Sequence, residues 1–67
     1  MNTKDAVEQV LKHKTKYGLG KSLGMSASSV YQWCAGTKMS VKTAAKFTEL
    51  YGIEIDDTYD PPGSLSN

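Results

Sequence analysis

Three sets of side chains in this 67-residue chain have types and spacings that could do chemistry. They are the lone His13 and Cys34, the run Gly18-Leu19-Gly20-Lys21-Ser22, and eight lysines. The first would suggest a metal site or a nucleophile, the second a phosphate cradle, the third the grip on a polyanion. One imidazole and one thiol cannot complete a four-ligand zinc site, and no acid or base accompanies either in sequence, so no metal, no cofactor and no catalysis are expected. A single cysteine also leaves no intramolecular disulfide. Cys34, beside Trp33, is expected to be a small buried hydrophobe, and His13 to end a helix where the dipole favours a cation. The glycine run fails as a P-loop, because Thr15 stands where that motif needs its first glycine and no strand precedes it. It fails as a dinucleotide fingerprint too, because position 23 is leucine and no βαβ unit fits a chain this short.

The lysines remain, and their distribution is lopsided. Residues 1–46 hold all eight against only Asp5 and Glu8, while residues 47–67 hold five acids and no base, which leaves a net charge of +1. A basic body with an acidic end is a pattern of nucleic-acid binders, although the same lysines would serve as a solvated face. There is no arginine, the residue that makes the commonest bidentate contact to guanine.

Positioning such groups takes a scaffold, and a chain of this length allows one domain with one small core. No apolar run approaches the roughly 20 residues of a membrane span. Met1 to Asp5 leads straight into a charged amphipathic stretch without a secretory h-region, so a cytoplasmic protein is expected.

Four helices are predicted from periodicity and caps. Ala6, Val7, Val10 and Leu11 share one face of a helix over about residues 3–13, capped by Asn2 or Thr3. Thr15 caps a second helix running through Lys16, Tyr17, Leu19, Lys21 and Leu23. In it Gly18 and Gly20 each cost about 1 kcal/mol relative to alanine, and close approach of a neighbouring helix at Gly20 is the expected compensation. Gly24 ends that helix at positive φ. After the turn Gly24-Met25-Ser26, a third helix, capped by Ser26, covers about Ala27 to Ala35 and buries Val30, Trp33 and Cys34, with Gly36 ending it. Thr37-Lys38-Met39 connects to a fourth, capped by Ser40, through Val41, Ala44, Ala45, Phe47, Thr48, Leu50 and Tyr51 to Gly52. Ile53, Glu54 and Ile55 alternate as a short strand would, for which a second copy of the chain could supply the partner; a helical turn over Asp56 to Tyr59 is the alternative. The domain is thus residues 1–59, and the breaker-rich residues 60–67 are expected to be a disordered tail.

Thr15 to Gly36, two short helices around a glycine turn with Leu19, Leu23, Met25, Val30 and Trp33 apolar, looks like the helix-turn-helix of phage Cro proteins and lambda-repressor-like regulators. The run Ser29-Val30-Tyr31-Gln32-Trp33 is similar to the recognition helix of small Cro proteins in particular. With the flanking helices, the resemblance covers roughly residues 3–55. Lys16 departs from the glutamine that family often has at the start of its second helix, and Gly18 and Gly20 replace better helix formers.

The resemblance implies an all-α, lambda-repressor-like bundle of four to five helices that binds double-stranded DNA in a bacterial cell, associated with the nucleoid, as a Cro-type repressor occluding a promoter. Its recognition helix would place Ser26, Ala27, Ser28, Ser29, Tyr31 and Gln32 in the major groove, with Gln32 suited to adenine, Ala27 to a thymine methyl, and Tyr31 to a base or a phosphate. Lys16, Tyr17, Lys21, Thr37, Lys38, Ser40 and Lys42 would contact phosphates. Without arginine, weak discrimination of G·C pairs is expected. A module this small would act as a homodimer, with Tyr51, Ile53, Ile55 and Tyr59 as the candidate interface. No membrane or small-molecule ligand is expected. The competing reading is a helical protein-interaction module, antitoxin-like or an adaptor, that binds no DNA.

Overall fold

A computed structural model of the chain describes residues 1–60, so all but the first residue of the expected tail lies outside the described residues. Four helices and no strand make up the described part: α1 (Thr3–Leu11), α2 (Lys16–Ser22), α3 (Ala27–Cys34) and α4 (Val41–Tyr51). No described helix is long and apolar enough to cross a membrane. The first three helices pack on one another, most extensively α2 on α3. Phe47 and Ala44, both buried, join α4 to the same core as Ala6, Val7, Val10, Leu19, Leu23, Val30, Trp33 and Met39.

Caps set the helix starts much as the sequence predicts. The Asn2 side chain accepts from the Asp5 amide at 2.7 Å, Thr15 Oγ1 from the Gly18 amide at 3.0 Å, and Ser40 Oγ from the Thr43 amide at 3.3 Å. Ser26 occupies the cap position of α3 with extended backbone, but its side chain makes no capping bond. α1 stops at Leu11, two residues before the expected end, and His13 falls in the turn beyond it, where its amide still donates to the Val10 carbonyl.

The alternative helical turn over Asp56 to Tyr59 does not form. Residues 53–59 run without regular structure to a bend at Asp56 and Asp57 and then make one parallel bridge, Ser40 to Tyr59, within the same chain. The Tyr59 amide donates to the Met39 carbonyl at 3.1 Å, and the Val41 amide to the Tyr59 carbonyl at 2.9 Å. Met39, read from sequence as part of a connection, is fully buried under this strap. The strap is also tied to the start of α1. Thr3, 1% exposed, donates from both its amide (2.7 Å) and its hydroxyl (2.6 Å) to Asp57 Oδ1, and its hydroxyl accepts from the Met39 amide at 3.1 Å. One hydroxyl therefore joins three stretches of chain. The Met1 ammonium pairs with Asp56 at 3.1 Å beside it.

Candidate nucleic-acid interface

α2 and α3 meet at a corner closed by backbone. After Leu23, the Gly24 amide donates to the Lys21 carbonyl (3.1 Å) and the Met25 amide to the Gly20 carbonyl (2.8 Å), the two bonds of a Schellman closure. The closure needs a left-handed residue, and Gly24 sits at φ +72°. Gly20 answers a different demand: a Cβ there would lie 2.8 Å from the Ser26 carbonyl oxygen and 3.0 Å from its carbon, inside contact distance. The missing side chain is what lets the start of α3 lie on the middle of α2. The close approach expected at Gly20 is thus present, and it compensates for poor helix propensity with packing.

With Val30 and Trp33 buried, the other side of α3 is left to solvent. Ser26, Ser28, Tyr31 and Gln32 are exposed, while Ala27 and Ser29 are half-buried and present only part of their surface. The Ser26 hydroxyl, unused in capping, is free to take a ligand. Met25, apolar and part of the turn, is 39% exposed.

Charge sharpens the picture. Between Glu8 and Glu49 the chain has seven lysines and no acid, so α2, α3 and both connections around them carry positive charge alone. Among the described residues the ion pair is that of Met1 with Asp56, and none of these lysines comes within ion-pair distance of a described carboxylate. Two of them lie against aromatic rings. Lys16 Nζ sits 5.2 Å from the centroid of Tyr31 and Lys21 Nζ 5.8 Å from that of Tyr17, both within cation–π range. Tyr17 and Tyr31 are 66% and 60% exposed, so the pairs form a basic, aromatic patch spanning α2 and α3.

The other expected phosphate contacts divide. Thr37, Lys38 and Lys42 are exposed, but the charge of Lys38 acts on Asp57 in the strap. Ser40 is half-buried and its hydroxyl is spent on α4, donating to Thr43 Oγ1 at 2.9 Å while accepting from the Thr43 amide. The Val41 amide at the same helix start is taken by Tyr59. The start of α4 is thus closed by the chain itself.

Three of the four candidate dimer residues are largely covered by their own core. Ile53 and Ile55 are half-buried against it. Tyr51 lies 5.1 Å from Phe47, centroid to centroid, and its hydroxyl is 2.6 Å from Ser22 Oγ. Since the Ser22 proton goes to the Leu19 carbonyl, Tyr51 is the donor. Tyr59 stays 46% exposed, as do Val41 and Leu50 to a similar degree on α4. Cys34 is half-buried and no cluster of three metal-ligating side chains exists among the described residues.

The Lys21–Tyr17 pair could have been found from its i, i+4 spacing on one helix. Lys16–Tyr31 could not, because it exists only through the α2–α3 contact. No family model, curated protein or solved structure matches the chain.

Proposed function

We propose that the chain is a sequence-specific double-stranded DNA-binding regulator built on a helix-turn-helix, acting as a Cro-type repressor that occludes promoter DNA as a homodimer and performs no catalytic step. One observation carries the reading: α2 and α3 lock together through Gly20 and the Gly24 turn while the outer face of α3 stays polar and exposed, in a stretch of chain whose only charges are lysines. An α-helix fits the major groove of duplex DNA, and a helix that enters it must be braced from behind and free in front. In this reading Ser26, Ser28, Tyr31 and Gln32 face base edges, with Ala27 and Ser29 at the margin, and Gln32 pairs with adenine through N6 and N7. Lys16, Tyr17 and Lys21 hold phosphates on one side of α3, and Thr37, Lys38 and Lys42 hold them beyond its end. Two copies related by a dyad would read half-sites one helical turn, about 34 Å, apart. Exposed Val41, Leu50 and Tyr59 offer apolar surface for that pairing.

Selection of bound sequences from a random duplex pool at moderate salt tests the reading. A palindrome with half-sites about 10 base pairs apart supports the dimeric regulator. A single enriched half-site keeps the DNA function and removes the stable dimer, while no enrichment moves the assignment to a protein-interaction module. Binding should weaken steeply with salt, and Lys21→Ala should reduce the slope of log K against log salt by about 1. A flat slope in the parent protein would count against phosphate contact altogether.

A further inference from the structure

We infer that Lys16 is a positioning residue for Tyr31, and that Tyr31 reads DNA through its hydroxyl and not by stacking its ring on a base. The inference rests on the duplex-binding reading above and adds to it which atoms of Tyr31 make contact and what aims them. Lys16 is the first residue of α2 and Tyr31 lies in the middle of α3, so their approach joins the two helices across the patch. The ammonium lies over the ring, 5.2 Å from its centroid. That face of the ring is therefore occupied, and a base cannot stack there without expelling the cation.

Among the described residues no carboxylate lies within ion-pair distance of Lys16 to compete with the ring. Lys16 is half-buried although it begins its helix, whereas Tyr31 is 60% exposed. The anchored partner is the lysine, and the tyrosine is the one being held. An exposed cation–π contact biases such an arrangement about two- to fivefold, enough to favour one rotamer of Tyr31 with its phenol edge outward. The phenol both donates and accepts a hydrogen bond, which suits a base edge in the groove. The ammonium keeps donors for a phosphate while it covers the ring. Lys16 thereby couples the contact that sets position to the contact that reads sequence.

The test is the preference of the full chain for its selected duplex over a panel of single base-pair variants, at fixed salt. It compares the parent with Tyr31→Phe, Lys16→Met and Lys16→Arg, each first checked for an unchanged melting temperature. Tyr31→Phe keeps the ring and loses the hydroxyl, and should lower the preference at one base pair by about fivefold. Lys16→Met should weaken binding to every duplex and also flatten the preference at that same base pair. Lys16→Arg should restore the preference, since a guanidinium also stacks on an aromatic face. A uniform loss in Lys16→Met with the base-pair preference intact would make Lys16 a phosphate contact only and overturn the inference. So would a Tyr31→Phe profile identical to the parent's. Failure of the duplex reading itself is distinguishable, because it appears as no salt-dependent binding by the parent protein, before any variant is compared.

Discussion

The α2–α3 corner and the seam where residues 53–60 meet α1 each bring distant stretches of chain together, and they do so by opposite means. At the corner the contact is made by what is missing: no side chain at Gly20, no acid near the lysines, and a turn closed by backbone alone. At the seam it is made by what is spent: the Asp57 carboxylate, the Thr3 hydroxyl and amide, and the Met39 amide are all used on one another. A surface that must meet a partner keeps its polar groups free, and a surface that must hold the fold consumes them. The same division runs through the serines and threonines, since Ser26 leaves its hydroxyl free on α3 while Ser40 commits its own to Thr43. Lysines follow it as well, because Lys38 lies close enough to the seam for its charge to act on Asp57, whereas Lys16 and Lys21 face only tyrosine rings.

The largest effect should come from filling the gap at the corner. A Cβ at Gly20 would stand 2.8 Å from a backbone oxygen, which cannot swing aside as a side-chain tip can. Gly20→Val is expected to cost at least about 2 kcal/mol, or about 10 °C in melting temperature for a chain of this size, and to remove the proposed duplex binding with it. Gly24→Val meets no atom within 4 Å, so its loss comes from the positive φ alone and should be about 1 to 2 kcal/mol. Thermal unfolding of both variants checks the order; a Gly20→Val protein as stable as its parent would mean that the corner is not closely packed.

The seam should yield an effect close to that of Gly24→Val, with a pH signature the corner lacks. The Thr3 hydroxyl bond holds the Asp57 carboxyl below its ordinary range, against the burial that pushes it up, with help from the Thr3 and Asp57 amides and the charge of Lys38. A carboxyl depressed on folding adds stability that is present above its unfolded value, about 3.9, and is lost as pH falls through the lower folded one. Thr3→Val keeps the shape but strands the buried Met39 amide and removes that bond. It should cost about 1 to 3 kcal/mol at pH 7 and make stability less sensitive to acid below about pH 4. Urea midpoints of parent and variant at pH 7 and pH 3 provide the check. An equal loss at both values would show that Thr3 does not set the titration of Asp57.

The corner was legible in the sequence because its logic is local. Thr15, Gly20, Gly24 and Ser26 stand at spacings that specify cap, close approach, stop and restart, and Val30 with Trp33 marks the buried face of α3. The seam was not legible, because Thr3 and Asp57 lie 54 residues apart and neither breaks a periodic pattern. Thr3 was visible only as an alternative cap for α1, and Asp57 only as part of an acidic end. The alternation of Ile53 and Ile55 did announce two half-buried side chains around an exposed Glu54, but the backbone pairing comes later, at Tyr59 with residues 39–41, and alternation alone could not place it. Sequence placed Lys16 and Tyr31 on their helices; only the packing of α2 on α3 put one over the other.

The smallest effect on the fold should come from an exposed residue of the corner itself, and that is where the contrast becomes sharpest. Gln32 is exposed on α3, and its carbonyl helps close that helix by accepting from the Thr37 amide at 3.0 Å, a backbone bond that survives any substitution of the side chain. Gln32→Ala should therefore change stability by no more than about 0.5 kcal/mol. If the proposed duplex binding holds, it should still cost about 1 to 3 kcal/mol on the cognate duplex, confined to one base pair, because in that reading the lost amide is a reader and not a brace. Melting curves alongside affinities for cognate and random duplex separate the two quantities. An equal loss on both duplexes would remove Gln32 from base reading, and a large drop in melting temperature would mean that this face of α3 holds the fold after all, as the seam does.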